Sequence, residues 1–142
     1  DGTIGASYNL TRTFRLSAFY SYIDKMAKEK YYAYYGNVVG TGYSWLLGKG
    51  QFMLGTITYE RDDYVAPDLA LYTRHRRDKL FRMRLTYGVP LTTLYVGKVL
   101  PKPLNDLAIA VTYEYFRELS NVTNYTYADN KLQVMLTKTF EF

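Results

Sequence analysis

Cysteine is absent from this chain and histidine occurs once. The first absence excludes disulfides, thiolate zinc, iron–sulfur clusters and a cysteine nucleophile; the second excludes a multi-histidine metal site. There is no basic stretch leading into an apolar core near the start, so no secretion signal is visible, and the expectation is a mature chain or a fragment. Net acidity is also missing. The formal charge is +5, which leaves an anionic surface or nucleic acid open as partner. One uncharged stretch, from Tyr31 to Gly48, is long enough for a membrane helix. It is rich in Tyr and Gly, and its apolarity rests on every second residue, which a lipid-embedded helix does not require.

What is present is tyrosine. The 142 residues hold 17 Tyr and are 18% aromatic, 48% apolar and 22% charged, with mean hydropathy −0.26. That is too apolar for a disordered chain, and too evenly charged for a helical membrane protein. The length suggests one domain or part of one.

The dominant pattern has period two. Phe81, Met83, Leu85, Tyr87, Val89 and Leu91 alternate with Arg82, Arg84, Thr86, Gly88 and Pro90. Leu107, Ile109, Val111, Tyr113 and Tyr115 repeat the pattern, as do Leu132, Val134, Leu136, Phe140 and Phe142. A helix would scatter such sets around its circumference, whereas a strand puts each on one face. Phe14 to Tyr22, Ile4 to Leu10 and Tyr35 to Leu47 alternate too. Gln51 to Tyr59 reads as a strand whose faces are not assigned by its sequence. Tight turns are expected at Thr11–Thr13 and Gly48–Gly50, and longer loops at Asp24–Lys30, Asp62–Asp78 and Ser120–Asn130. Thr92–Asn105, with Pro101 and Pro103, breaks this short–long rhythm.

The expectation is an all-β, antiparallel, up-and-down meander of about seven strands. Strands of ~10–14 residues exceed the ~5–6 usual in globular proteins and suit an oblique bilayer crossing. The apolar parity ends in aromatics: Tyr20 and Tyr22, Tyr113 and Tyr115, Phe140 and Phe142. The other parity is too polar and Gly-rich for a second buried layer. Lipid is therefore the expected solvent, with a water-soluble sandwich as the alternative, and a bilayer demands closure into a barrel. Bacterial single-chain barrels have even strand numbers. Residues 1–142 are thus read as the C-terminal part of one larger transmembrane β-barrel in a bacterial outer membrane, completed by a missing N-terminal portion or by another chain.

The last strand resembles the C-terminal assembly signal of bacterial outer-membrane proteins, carried here by Val134, Leu136, Phe140 and Phe142. The resemblance implies the barrel-assembly machinery as a partner. A narrower resemblance covers roughly the last 80 residues. Val65-Ala66-Pro67, Arg76-Arg77-Asp78, Ser120-Asn121 followed by Tyr125, Tyr127 and Asn130, and Thr137-Lys138-Thr139-Phe140 look like the C-terminal barrel of surface lipoprotein assembly modifiers. This resemblance implies a barrel of about fourteen strands that helps a client, a lipoprotein or small protein, to reach the cell surface.

Arg15, Arg82, Arg84 and Glu114 fall on the polar parity and are the candidate lumen-facing charges, either setting selectivity or bridging strands. Arg74, His75, Arg76 and Arg77 form the densest basic cluster, a candidate outer-rim loop for lipopolysaccharide phosphates or acidic cargo. Its alternative is local pairing with Asp62, Asp63, Asp68 and Asp78. No nucleic-acid-binding motif accompanies this charge. No catalytic constellation is seen around His75, and Glu60, Asp62, Asp63, Glu114 and Glu118 read as rim charges rather than acid–base pairs. No cofactor, metal or enzyme activity is expected. The expected function is an outer-membrane barrel assisting transport or secretion of a client. The alternatives are an exopolysaccharide-export barrel, or a structural or adhesive barrel with a plugged lumen.

Overall fold

The computed structural model describes residues 1–95, 101, 104 and 106–138. Seven antiparallel strands follow one another in one sheet, in chain order: β1 (Gly2–Asn9), β2 (Phe14–Lys25), β3 (Tyr34–Gly48), β4 (Gln51–Tyr64), β5 (Arg77–Pro90), β6 (Leu107–Ser120) and β7 (Tyr127–Lys138). A single helical turn, α1 (Leu91–Leu94), follows β5. The sheet is open. β1 and β7 are its two edges, and every residue in both is exposed.

Alternation governs the sheet from edge to edge. Residues directly opposite one another across an antiparallel pair share a face. One row reads Ile4, Tyr20, Val39, Tyr59 and Phe81 across β1 to β5. Another reads Leu16, Tyr43, Gly55, Leu85, Tyr113 and Leu132 across β2 to β7. These rows make one continuous apolar face, and its large side chains stand exposed: Ile57 at 43% and Val134 at 66%. The reverse face carries Ser17, Gly42, Thr56, Arg84 and Glu114 in register, with Arg15 on the same face in a neighbouring row. The molecule has no second layer among the described residues. Burial comes instead from large side chains lying across small neighbours. The Phe19 ring covers Gly40, where a Cβ would come within 2.4 Å of it.

The same registers assign β4, whose faces the sequence left open. Its odd positions, Met53 to Tyr59, join the apolar face. The alternation is blurred there because Phe52 and Leu54 are also large and apolar, yet pair with Gly88 and Thr86 on the polar side.

Both tight turns form where expected. At the second, Gly48, Lys49 and Gly50 all have positive φ, of 89°, 50° and 74°, a left-handed run that needs glycine on most positions. At the other rim the strands run further than the sequence suggests. β4 continues to Tyr64 and β5 starts at Arg77, so the expected Asp62–Asp78 loop shortens at both ends. β7 starts at Tyr127, inside the expected Ser120–Asn130 loop. The uncharged Tyr31–Gly48 stretch is divided: Lys30–Tyr32 forms a short 3-10 turn and only Tyr34 onward is strand. No described helix is long and apolar enough to cross a membrane. Of the irregular Thr92–Asn105 stretch, the helical turn closes against the β3–β4 turn through a hydrogen bond from Thr93 Oγ1 to the Lys49 carbonyl, 2.8 Å.

At the long-loop rim the apolar face stops. Beyond Tyr59 and Phe81 it carries Arg61 and Lys79, then Asp63 and Arg77, each pair directly opposite across β4 and β5. The last residues of β4 and the first of β5 therefore stand past the apolar band.

Candidate functional site: the polar face and its rim cluster

The four charges expected on one face are brought to one face. Arg84 and Glu114 sit directly opposite across β5 and β6, with Nη2 at 2.5 Å and Nε at 2.8 Å from Oε1. Arg82 reaches back to Glu60 on β4 at 3.2 Å and lies over the Phe116 ring at 5.3 Å. Arg15 stands apart near the β1 edge and donates to Ser7 Oγ at 2.6 Å. The polar face is thus a set of short cross-strand links, with small residues between them.

The strongest chemistry lies at the rim above them. Glu60, Asp62, Asp78 and Glu118 are all buried, between 1% and 7% exposed. They occupy alternate positions on β4, β5 and β6 and so share the polar face. Asp62 is directly opposite Asp78, and Leu80 lies between Glu60 and Glu118 in the row below. Arg76, the last residue before β5, enters this group. Its Nη2 donates to Asp78 Oδ2 at 2.5 Å and to Glu118 Oε1 at 2.9 Å. Its guanidinium lies between two rings, 3.5 Å from the Tyr125 centroid and 4.6 Å from that of Tyr64. A planar, delocalised cation suits such a slot, where an ammonium would not fork and stack together.

The surrounding loops are tied to the same point. Asn121 accepts from the Arg77 backbone N–H through Oδ1 at 2.7 Å and donates from Nδ2 to the His75 carbonyl at 2.8 Å. Two of the motifs that carry the narrower resemblance, Arg76-Arg77-Asp78 and Ser120-Asn121 with Tyr125, therefore meet in space.

Carboxylates outnumber cations here. Asp62 Oδ1 and Asp78 Oδ1 are buried without a hydrogen-bond partner, as is Arg76 Nε. Burial pushes the Asp62 carboxyl up to about 7, helped by Glu60 and Asp78 and opposed by Arg82. Glu118 is raised for the same first reason, burial, with Asp78 adding to it. Two like charges directly opposite on one sheet face destabilise each other. A proton held by Asp62 relieves that pair. The arrangement acts as an interlock whose charge balance changes near neutral pH.

The basic run does not act as one patch. Arg74 is exposed, His75 places Nδ1 3.2 Å from the Tyr64 carbonyl oxygen, Arg76 is half-buried in the interlock, and Arg77 pairs with Asp63 at 3.1 Å on the other face. Alternation separates neighbours that composition groups together. Of the assembly-signal residues, Val134 and Leu136 are exposed on the apolar side of β7; Phe140 and Phe142 lie outside the described residues. Burial of Glu60, Asp62, Asp78 and Glu118 together was missed by sequence reasoning. Their parity was legible, but the cross-strand register that stacks them was not. Among the described residues no group of His, Asp or Glu has the arrangement of a metal site. No family model matches the chain, and no curated protein or solved structure matches it either.

Proposed function

We propose that this sheet is part of the wall of a transmembrane β-barrel in a bacterial outer membrane, and that the barrel assists passage of a client, a lipoprotein or small protein, to the surface. One observation carries the reading. An apolar face runs unbroken and exposed across all seven strands, backed by a polar, charge-bearing face. In water such a face would need a covering layer. In a bilayer the hydrocarbon is that cover, and the polar face lines the lumen.

The dimensions agree. From Phe81 to Val89 on β5 the apolar positions span roughly 27 Å at about 3.3 Å per residue. Tilted by about 40°, this spans roughly 20 Å of membrane, against a usual band of about 25 Å. The two tight turns share one rim with the longer β5–β6 connection, and the other three loops lie on the opposite rim; barrels have periplasmic turns and extracellular loops. The charged rim cluster stands clear of the hydrocarbon on the long-loop side.

The free edges require more wall. β1 and β7, as first and last of seven consecutive antiparallel strands, run in the same direction. Two copies of the sheet side by side would meet through parallel pairs. An odd number of further strands closes the barrel with antiparallel pairs throughout, as a preceding stretch of polypeptide or another chain. Such closure gives the even total that bacterial barrels show.

Arg82 and Arg84 would face the moving client. The experiment is replacement of both by Gln in the intact polypeptide, with client export and single-channel conductance measured. Changed export or ion selectivity is expected. Unchanged export and conductance favour the second reading, a structural barrel with a plugged lumen, which the pairing of Arg82 and Arg84 with Glu60 and Glu114 supports.

A further inference from the structure

The apolar face does not end evenly along the long-loop rim. The row just above Tyr59 and Phe81 reads Gly2, Tyr22, Asn37, Arg61, Lys79 and Leu119. From β1 to β3 it holds no cation. From β4 to β6 it holds Arg61 and Lys79 directly opposite each other, with Arg117, opposite Phe81, a step below. All three are exposed. Like charges set directly opposite on one face repel. Asp63 partly answers Arg61 at 3.3 Å but shares itself with Arg77 at 3.1 Å. Among the described residues, the ion pairs of this rim do not include Lys79 or Arg117. A groove of about 410 Å³ opens here, lined in part by Arg61, Arg77, Lys79, Leu119 and Asn121. Three cations, Arg61, Arg77 and Lys79, line this concavity with the buried Asp78, Arg117 stands beside it on the same face, and Phe81 and Tyr115, diagonal neighbours below, have rings 6.1 Å apart.

We infer that Arg61, Lys79 and Arg117 form a binding site for the phosphorylated head group of an outer-leaflet lipid, of the lipid A class. This rests on the membrane reading above and adds a ligand to it. The acyl chains of such a lipid lie along Leu85, Met83 and Tyr59, and its phosphates come level with the three cations. Guanidinium and ammonium groups pair with phosphate oxygens through short charge-assisted hydrogen bonds. Long side chains at this height reach from the apolar boundary into the head-group layer. The patch is confined to one side of the sheet, so the lipid is held at β4–β6 rather than around the whole rim.

The test folds the intact polypeptide into phosphatidylcholine vesicles, with or without lipid A, and measures lipid A retained after detergent extraction. Insertion is followed separately by protease protection. Wild type is expected to insert in both and to retain lipid A. R61Q/K79Q/R117Q is expected to insert equally and bind lipid A at least about tenfold more weakly, since each cation near an anionic surface contributes a several-fold factor. If the triple variant inserts poorly, K79Q and R117Q singly give the same answer, each with a few-fold loss. Dephosphorylated lipid A is expected to be retained no better than phosphatidylcholine. Equal retention by wild type and variants, or equal retention of the dephosphorylated lipid, overturns the site while leaving the membrane reading intact. Failure of wild type to insert into any vesicle overturns both.

Discussion

Removing Arg76 is the sharpest perturbation the structure offers. Arg76→Ala deletes the one cation bonded to both Asp78 and Glu118 and empties the slot between Tyr64 and Tyr125. Asp78 is 1% exposed and Glu118 7%, so water does not replace the lost partner. Breaking a buried ion pair from one side costs about 3–5 kcal/mol. The Arg76 side chain is itself only 13% exposed, so solvent screening reduces that figure little. Arg76→Lys keeps the charge but neither forks nor stacks, and should lose about half as much. The triple change R76L/D78N/E118Q removes the charges together, and should lie within about 1 kcal/mol of wild type, because the destabilisation comes from orphaned charge rather than from lost attraction. The assay is equilibrium urea unfolding of the intact polypeptide folded in vesicles, with the slope checked for constancy so that midpoints report stability. An Arg76→Ala variant less than about 1 kcal/mol below wild type would refute the interlock.

The remaining predictions are smaller. Asp62 has its folded-state pKa raised from 3.8 to about 7, so the fold holds a proton that the unfolded chain releases. Stability should therefore fall as pH rises from about 4 to about 7 and level off above, with Glu118 acting in the same direction. Asp62→Asn should flatten that slope and be more stable than wild type at pH 8 by about 1 kcal/mol or more; an unchanged slope in urea midpoints across that range would contradict it. Gly40→Ala should destabilise by about 1–2 kcal/mol through the clash with Phe19, and the sign should reverse in a Phe19→Leu background, where alanine is better than glycine in a strand. A double-mutant cycle without coupling would remove the ring-over-glycine account. Gly50→Ala puts a Cβ at φ 74° and 2.7 Å from Pro90 Cγ, and should lower stability by about 1–3 kcal/mol in the same unfolding assay.

Much of this architecture is local and was legible in the sequence. A strand's two faces are written at period two, so β5, β6 and β7 declared their apolar sides before any partner was known. The left-handed turn at Gly48–Gly50 is a property of three consecutive residues. At Thr11–Thr13 and Gly48–Gly50 the connections are too short to form anything but a hairpin. Arg82, Arg84 and Glu114 were placed together by parity alone. β4 resisted because Phe52, Met53 and Leu54 are all apolar. Only its neighbours' registers, with Tyr43 over Gly55 and Phe52 over Gly88, decide which side each takes.

The rest belongs to the tertiary structure, because it depends on which residues stand opposite one another across strands far apart in the chain. Register put Asp62 against Asp78 and brought Glu118 into the same rim. It turned a run of basic residues into a half-buried Arg76, beside two tyrosine rings, and an Arg77 on the opposite face. It also gathered Arg61, Lys79 and Arg117, which come from three strands and form no motif in the chain. Alternation tells each residue which face it occupies. Pairing alone tells it who its neighbours are, and both charged groups at this rim are made by neighbours.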